Sequence, residues 1–197
     1  MRHDRPLVVG IGGTLAHDSS TARLLRHALS QCEEAGAEVR LFTSHALEIP
    51  FYAPGRNLEN AAASELVAAM READAVVLSS PGYHGSISGL IKNALDYTEE
   101  LAGDRRPYFD GIPVGLIAAG AGWQGANATI ATLRSIVHAL RGWPTPLGIA
   151  VNSRQPLFDA DGRLIATQVD EQLGAMTRQL MDFVARSRMP RCAPIDQ

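Results

Sequence analysis

The chain has 197 residues, of which 46% are hydrophobic and 20% charged, and its formal net charge is −3. This length and apolar content suit one folded domain and exclude an intrinsically disordered chain. The nearly balanced charge gives no reason to expect nucleic acid or an anionic membrane surface as a partner.

Short apolar runs alternate along the chain with longer segments of helical periodicity. The runs, which have the length of strands buried on both faces, lie at residues 7–13, 38–44, 75–80, 112–120 and 145–153. The helical segments, in which apolar residues recur every three or four positions, lie at 21–36, 58–74, 87–103, 125–142 and 166–187. Proline and glycine residues predict a loop at 45–57 and a turn at 158–163.

Five strands that alternate with five helices predict one α/β domain, a parallel sheet with helices on both faces. We expect this domain to span residues 1–189 and residues 190–197 to form a loose tail. The strand order should be 2-1-3-4-5, because the first connection and the later ones must lie on opposite faces. Ligands of such sheets bind beyond the carboxyl ends of the strands, here between the first and third strands, where the order reverses.

Targeting and thiol chemistry are also constrained by the sequence. No apolar run approaches the roughly 18 residues that a membrane-spanning helix needs, and the start is unlike a signal peptide. The two cysteines, Cys32 and Cys192, are too few for a disulfide framework, and Cys32 falls on the apolar face of a predicted helix. We therefore expect a cytoplasmic protein in which Cys32 is a core residue.

The loop after the first strand has the features of a phosphate site. Ser19, Ser20 and Thr21 stand where the first helix begins, and their hydroxyls, together with free N–H groups, can bind an anion. An N-cap serine is the structural alternative, but three consecutive hydroxyls favour phosphate. A dinucleotide loop of the form GxGxxG would need glycine at Leu15, and the GK[ST] of a P-loop is absent. A hydroxyl-rich loop at this point is the flavodoxin-type solution for the phosphate of FMN.

Four stretches resemble one known family. They are GGTLAHDSSTARLL, ALEIPFYAPG, SSPGYHGSISGLIKNALDY and GAGWQGA. The strongest match is P-x-Y-H-G-S-x-S-G-x-[LI]-K-N-x-[LI]-D at residues 81–96. From about residue 7 to 186 the chain resembles the NADPH-dependent FMN reductase family. That resemblance implies a flavodoxin-like three-layer sandwich, FMN as cofactor, and NADPH or NADH as hydride donor.

The resemblance also implies which residues bind FMN. Its phosphate would be held by Thr14, Ser19, Ser20 and Thr21. Its isoalloxazine ring would lie against the loop after the third strand, which consists of Pro81, Gly82, Tyr83, His84, Gly85 and Ser86. Its pyrimidine edge would meet the loop after the fourth strand, which consists of Gly120, Ala121, Gly122, Trp123 and Gln124.

Several roles within this predicted site follow from residue type. Pro81 should end the third strand, and the missing side chains of Gly82 and Gly85 should let the backbone approach a flat ligand. Many relatives carry an arginine in the first loop, where this chain has Leu15 and Ala16. Hydroxyls, N–H groups and His17 would then have to meet the phosphate charge.

Other residues admit two interpretations. Trp123 could cover the ring edge or join a subunit interface. Lys92 and Asp96 fit a structural or interfacial role better than a catalytic one, and we expect no catalytic side chain because the cofactors carry the reaction. Arg105 and Arg106 could meet the 2′-phosphate of NADPH or could simply be surface residues.

The resemblance implies an NAD(P)H-dependent flavin oxidoreductase, which passes hydride to FMN and then electrons to a second flavin, a quinone or a similar acceptor. A quinone or azo reductase on the same fold is an alternative. A flavodoxin-like electron carrier is another, although such carriers are usually much more acidic. LRGWPTPLGIAVNS at 140–153 resembles the branch that supplies reduced flavin to monooxygenases, so such an enzyme is a possible partner.

We also expect a homodimer or a tetramer. The helices at 87–102 and 125–141 carry more apolar residues than one buried face needs. In related reductases these helices pack against a second subunit, so Tyr83, Tyr97 and Trp123 would lie near the interface. Neither nucleic acid nor a membrane is expected as a partner.

Overall fold

A parallel sheet of five long strands forms the centre of the fold in the computed structural model, which describes residues 4–16, 18–55 and 59–188. The strands are β1 Leu7–Gly12, β2 Glu38–Phe42, β3 Ala75–Tyr83, β4 Ser86–Ile87, β5 Pro113–Gly120 and β6 Trp143–Asn152. The α-helices are α1 Ser20–Glu34, α2 Ala61–Glu72, α3 Gly89–Asp96, α4 Trp123–Ala139 and α5 Thr167–Arg188. Two 3₁₀ helices span Ser44–Leu47 and Tyr97–Leu101.

The order of the sheet is β2-β1-β3-β5-β6, and all four pairings along this path are parallel. The predicted order of the five long strands is therefore confirmed. The two-residue strand β4 was not predicted; it pairs antiparallel with the end of β3, where Tyr83 faces Ser86. The segment interpreted as a single loop after the third strand is thus a short hairpin.

Two element boundaries differ from the sequence prediction in ways that affect the site. The predicted helix at 87–103 is α3 followed by a 3₁₀ helix, in which the Thr98 hydroxyl donates to the Leu95 carbonyl at 2.7 Å. The helix predicted to begin at residue 125 begins at Trp123, so Trp123 and Gln124 belong to a first helical turn. The predicted loop at 45–57 includes most of the first 3₁₀ helix.

Apolar side chains pack on both faces of the sheet, which gives the predicted three layers. One cluster joins the sheet to α2, α3 and α4, and the other joins it to α1 and α5. Cys32 is fully buried in the second cluster, and burial raises the pKa of its thiol from 9.0 to about 11. Its interpretation as a core residue is confirmed; Cys192 and the predicted tail at 190–197 lie outside the described residues.

Within the described ranges, no helix has the length and apolar content needed to span a membrane. In the same ranges, no group of three or more His, Cys, Asp or Glu side chains is placed to hold a metal ion.

Candidate functional site

Three loops meet at the carboxyl edge of the sheet, where the strand order reverses. Gly12 at the end of β1 lies beside Ser79 of β3, and Pro81 of β3 lies beside Ala119 of β5. The loops after β1, β3 and β5 are therefore neighbours. All of the predicted site residues lie on these loops, at the adjoining strand ends or in the first turn of the helix that follows.

The three hydroxyls at the start of α1 have different environments. Ser19 is the N-cap, and its Oγ accepts a hydrogen bond from the Ala22 N–H at 3.2 Å. Thr21 is buried, its hydroxyl lies 3.2 Å from Ser19 Oγ, and its carbonyl accepts from Ser79 Oγ at 2.9 Å. Among the described residues Ser20 Oγ has no partner, so Ser20 is the hydroxyl that a ligand can use.

The rest of the first loop is shaped by a local turn. Thr14 Oγ1 accepts from the Ala16 N–H at 3.1 Å and donates to the Ala16 carbonyl at 3.3 Å. Leu15, at the turn, is half exposed. His17, which was expected to help meet the phosphate charge, lies outside the described residues.

The hairpin after β3 explains the sequence Tyr-His-Gly-Ser in structural terms. His84 and Gly85 form its two-residue turn, and both have positive φ angles, 51° and 85°. Turns of this kind match the twist of the flanking strands but need residues that tolerate a left-handed backbone. No heavy atom lies within 4 Å of the place where a Gly85 Cβ would be, so this face of the turn is open to a flat ligand.

Pro81 and Gly82 of the same loop have structural roles that differ from those predicted. Pro81 does not end the strand, because β3 continues to Tyr83. Its lack of an N–H is tolerated because β1 pairs with β3 only as far as Ser79. A Cβ on Gly82 would lie 2.7 Å from Thr129 Oγ1 of α4, so glycine is required there by helix packing as well.

The loop after β5 is a tight turn into α4. A Cβ on Gly120 would lie 2.7 Å from the Ala126 nitrogen. The Gly120 carbonyl already accepts a hydrogen bond from the Ser153 N–H at 2.8 Å. The N-cap, Gly122, offers no side-chain acceptor to the first turn. The N–H groups of Trp123 and Gln124 donate to no described residue and can therefore meet carbonyl oxygens of a ligand.

A cavity of about 720 Å³ opens between the first loop, the β3 hairpin and the segment after β2. Its lining is mainly apolar and includes Thr14, Leu15, Ile49, Phe51, Tyr83 and Leu90. Only Thr14 and Tyr83 of this set belong to the predicted site. Phe51 was within reach of sequence reasoning, because it lies in the family-like stretch ALEIPFYAPG.

In the part of α3 around Lys92, contacts to other elements are made by a residue that the sequence analysis did not single out. Lys92 and Asp96 form an exposed ion pair on α3, which is consistent with a structural role. Between them, Asn93 lines the cavity and bonds to the loop after β2. Arg106 is not available to a nucleotide, because its guanidinium donates to three carbonyl groups at the end of α2.

The donors at this edge fit FMN. A monophosphate matches the Ser20 hydroxyl and the N–H groups of Ser20 and Thr21, which donate to no described residue. The open turn at Gly85 and the free N–H groups of Trp123 and Gln124 suit a flat ring with carbonyl oxygens. In the described part of the first loop no side chain is positively charged, so dipoles and hydroxyls would have to meet the charge of a phosphate bound there.

The sheet order and the hydroxyl-rich loop at its reversal point define the flavodoxin-like class of folds. The flavoenzyme NAD(P)H:(acceptor) oxidoreductase FerB from Paracoccus denitrificans superposes with a TM-score of 0.74 at 22% identity, covering 92% of this chain and 98% of that one. A model of the NADPH-dependent FMN reductase family matches residues 6–156, and the chain belongs to this family. The resemblance seen in the sequence is confirmed.

Two further relatives were found by sequence. The probable NADPH:quinone oxidoreductase 2 of rice, Oryza sativa subsp. japonica, is 27% identical over 189 residues, which are 91% of this chain and 89% of that protein. The FMN-dependent NADPH-azoreductase of Staphylococcus aureus is 35% identical over 117 residues, 58% of each protein. As a member of this family the chain is an NAD(P)H-dependent flavin oxidoreductase with FMN as its cofactor.

Proposed function

We propose that the chain oxidises NADPH or NADH and reduces a second flavin, a quinone or an azo compound, with FMN held at the site described above. The observation that carries this proposal is the Ser20 hydroxyl at the start of α1, which has no partner among the described residues and lies at the same edge of the sheet as the open β3 hairpin. The rice and Staphylococcus relatives, whose names specify a quinone and an azo activity, support an acceptor of this class.

The residues of the site have separable roles in this proposal. Ser20 and the first N–H groups of α1 hold the phosphate, and Ser19 holds the helix start in place. Thr21 contributes only its N–H, because its side chain is buried. Pro81–Ser86 form a wall for the ring, and the N-terminus of α4 meets its pyrimidine edge.

A bound FMN would supply the redox chemistry, taking up a hydride from the reduced nicotinamide and passing two electrons to the acceptor. The protein's own contribution is to position the reactants and to exclude water from one face of the ring. The start of α1 would hold the phosphate end of FMN and the β3 hairpin its ring end, so two separate loops would set the orientation of the cofactor. No side chain is required as a general acid or base.

The first test is direct reduction. Purified protein should bind FMN more tightly than FAD in a fluorescence titration, because the compact loop at α1 suits a terminal monophosphate. Under anaerobic conditions, NADPH or NADH alone should bleach the bound flavin. Bleaching that needs an added partner reductase would show the electron carrier instead, and equal or tighter FAD affinity would contradict the proposed phosphate site.

Replacing Ser20 and Ser19 by alanine should separate binding from helix capping. Ser20→Ala removes a charge-assisted hydrogen bond worth about 1.5–3 kcal/mol, so FMN affinity should fall about tenfold or more. The FMN-free protein should melt as before, because Ser20 Oγ has no partner among the described residues.

Ser19→Ala is the matched variant. It removes the N-cap of α1, which should cost about 1 kcal/mol and lower the melting temperature by roughly 2–4 °C. A fall in the melting temperature for Ser20→Ala with unchanged FMN affinity would assign Ser20 to the helix alone.

The predicted homo-oligomer stays a proposal, but the residues that could form its interface change. Leu95 of α3 and Val137 of α4 are buried within the single chain, so these helices offer less spare apolar surface than their composition indicated. Tyr97 is also fully buried and cannot reach an interface. The half-exposed Tyr83 and Trp123 at the site edge are the better candidates. A monooxygenase that receives reduced flavin likewise remains a proposed partner.

A further inference from the structure

We propose that residues 48–53, the loop after the first 3₁₀ helix, form the surface on which the electron acceptor stacks. Phe51 contacts the acceptor, and Asn93 and Tyr97 are positioning residues that hold the loop. The acceptor is a neutral, flat, conjugated molecule of the quinone type. This inference rests on the proposed function and specifies its second substrate.

The loop is held by side chains of the α3 region. Asn93 accepts the Tyr52 N–H with its Oδ1 at 2.9 Å and donates from Nδ2 to the Pro50 carbonyl at 2.9 Å. Tyr97 donates its hydroxyl to the same Pro50 carbonyl at 3.1 Å. The rings of Tyr52 and Tyr97 meet edge to face, with centroids 5.3 Å apart. Residues 48–53 belong to no helix or strand, so these contacts give the loop a defined backbone.

The same contacts present Phe51 to solvent. Its side chain is 87% exposed, more than any other large apolar side chain in the described part of the chain. Single exposed apolar residues are common, but this one lies between backbone groups that partly buried hydrogen bonds hold in place. A ring on a rigid support loses little conformational freedom when it contacts a ligand, which is the requirement for a binding residue.

Phe51 lies at a cavity of the right size and composition. Leu15 and Tyr83, both about half exposed, line the same cavity. Its volume of about 720 Å³ falls within the range of small-molecule sites. Thr14 and Tyr83 belong to the proposed FMN site as well, so an acceptor bound here would lie next to the flavin.

The charge of the lining favours a neutral acceptor. Among the described residues that line the cavity, Glu48 carries the one carboxylate, none is Lys, Arg or His, and His45 lies 2.9 Å from the Glu48 carboxylate. A phosphate or sulfonate would find no cationic partner in this lining and would lose its hydration. A neutral quinone needs only apolar contact and an aromatic face, which Phe51 supplies.

The test uses the FMN-loaded protein and 2-methyl-1,4-naphthoquinone as the acceptor. Phe51→Ala should raise the KM for this quinone about fivefold to tenfold, because an aromatic contact is lost. Calorimetric titration of the oxidised protein with the quinone should show a matching rise in Kd. FMN affinity and the anaerobic rate of flavin bleaching by NADPH should change less than about twofold, whereas Phe51→Tyr should behave like the unaltered protein.

Trp143→Ala provides the matched control. Trp143 is also an exposed aromatic, at 59%, but it begins β6 and so lies at the opposite end of the sheet from the site. Its removal should leave the quinone KM unchanged. The sulfonated form of the same quinone should bind the unaltered protein more weakly than the neutral form.

The positioning role is tested with Tyr97→Phe, which keeps the ring contact with Tyr52 but removes the hydrogen bond to Pro50. The quinone KM should rise about twofold to threefold. In a Phe51→Ala background, Tyr97→Phe should add nothing, because the ring that the loop presents is already gone. A residue that only stabilises the fold would instead change both backgrounds equally.

Three results would overturn the inference. The first is an unchanged quinone KM and Kd in Phe51→Ala. The second is a loss of FMN from this variant, which would place Phe51 in the flavin site. The third is a lower molar mass of Phe51→Ala than of the unaltered protein by light scattering, which would show that a second copy of the chain covers Phe51. If the unaltered protein takes up no FMN or is not bleached by NADPH, the proposed function itself fails before any acceptor is added.

Discussion

Replacing Gly12 by alanine should lower the free energy of unfolding by about 3 kcal/mol and the melting temperature by roughly 10 °C. A Cβ at this position would lie 2.4 Å from the Ser79 carbonyl oxygen and 2.7 Å from Ser79 Cβ. These atoms belong to the neighbouring strand, so no side-chain rotation can relieve the contact. The strands β1 and β3 would have to separate.

The same substitution should weaken FMN binding by more than tenfold at temperatures where the variant is still folded. Gly12 is the last residue of β1, and the next residue, Gly13, donates its N–H to the Ser79 carbonyl at 3.1 Å. Moving β1 away from β3 therefore displaces the start of the phosphate loop. Thermal melting and a flavin titration measure the two effects.

Gly103→Ala is the control for Gly12→Ala, because no heavy atom lies within 4 Å of a Cβ there. Its free energy of unfolding should stay within about 0.5 kcal/mol of the unaltered protein. If Gly12→Ala melts like Gly103→Ala, the close approach of the two strands is not a constraint in solution.

Replacing Arg106 by alanine should cost about 3 kcal/mol of stability and leave the preference between NADPH and NADH unchanged. Its guanidinium donates to the carbonyl groups of Met70, Arg71 and Ala73, at 3.0, 2.6 and 2.8 Å. These carbonyls lie at the C-terminal end of α2, where a cation also interacts favourably with the helix dipole. Burial lowers the pKa of Arg106, while nearby aspartates oppose that shift.

Arg105→Ala is the matched control, because Arg105 is exposed and adjacent in sequence. It should change the free energy of unfolding by less than about 0.5 kcal/mol. Urea unfolding and the ratio of kcat/KM for the two nucleotides are the measurements. A selective loss of NADPH activity in Arg106→Ala, without a loss of stability, would restore Arg106 as a ligand of the 2′-phosphate.

The start of α1 shows how far sequence reasoning reaches at the site. Three adjacent hydroxyls were enough to predict an anion site, because free N–H groups are a general property of helix starts. The different roles of the three hydroxyls were not predictable from the sequence. Ser19 caps the helix and Thr21 is buried, which leaves Ser20 for the ligand. Which hydroxyl is free depends on the angle at which the chain enters the helix.

The glycine residues of the site show the same limit of sequence reasoning. Gly82 and Gly85 were interpreted as positions where the backbone comes close to a ligand. In the structure the approach at Gly82 and Gly120 is to the start of α4, whereas Gly85 is needed for the backbone of a hairpin turn. Composition identifies a position where a side chain cannot fit, but the atom that excludes it belongs to another element.

The sequence by itself determined the five long strands, their order and the edge of the sheet at which we propose that the cofactor binds. These follow from hydrophobic periodicity and from the handedness of strand–helix–strand connections, which are local or general properties. The tertiary structure alone decided that Asn93 and Tyr97 hold Pro50, that Arg106 binds the carbonyl groups at the end of α2, and that Phe51 faces a cavity. These contacts join residues far apart along the chain, so they exist only once helices have packed on the sheet.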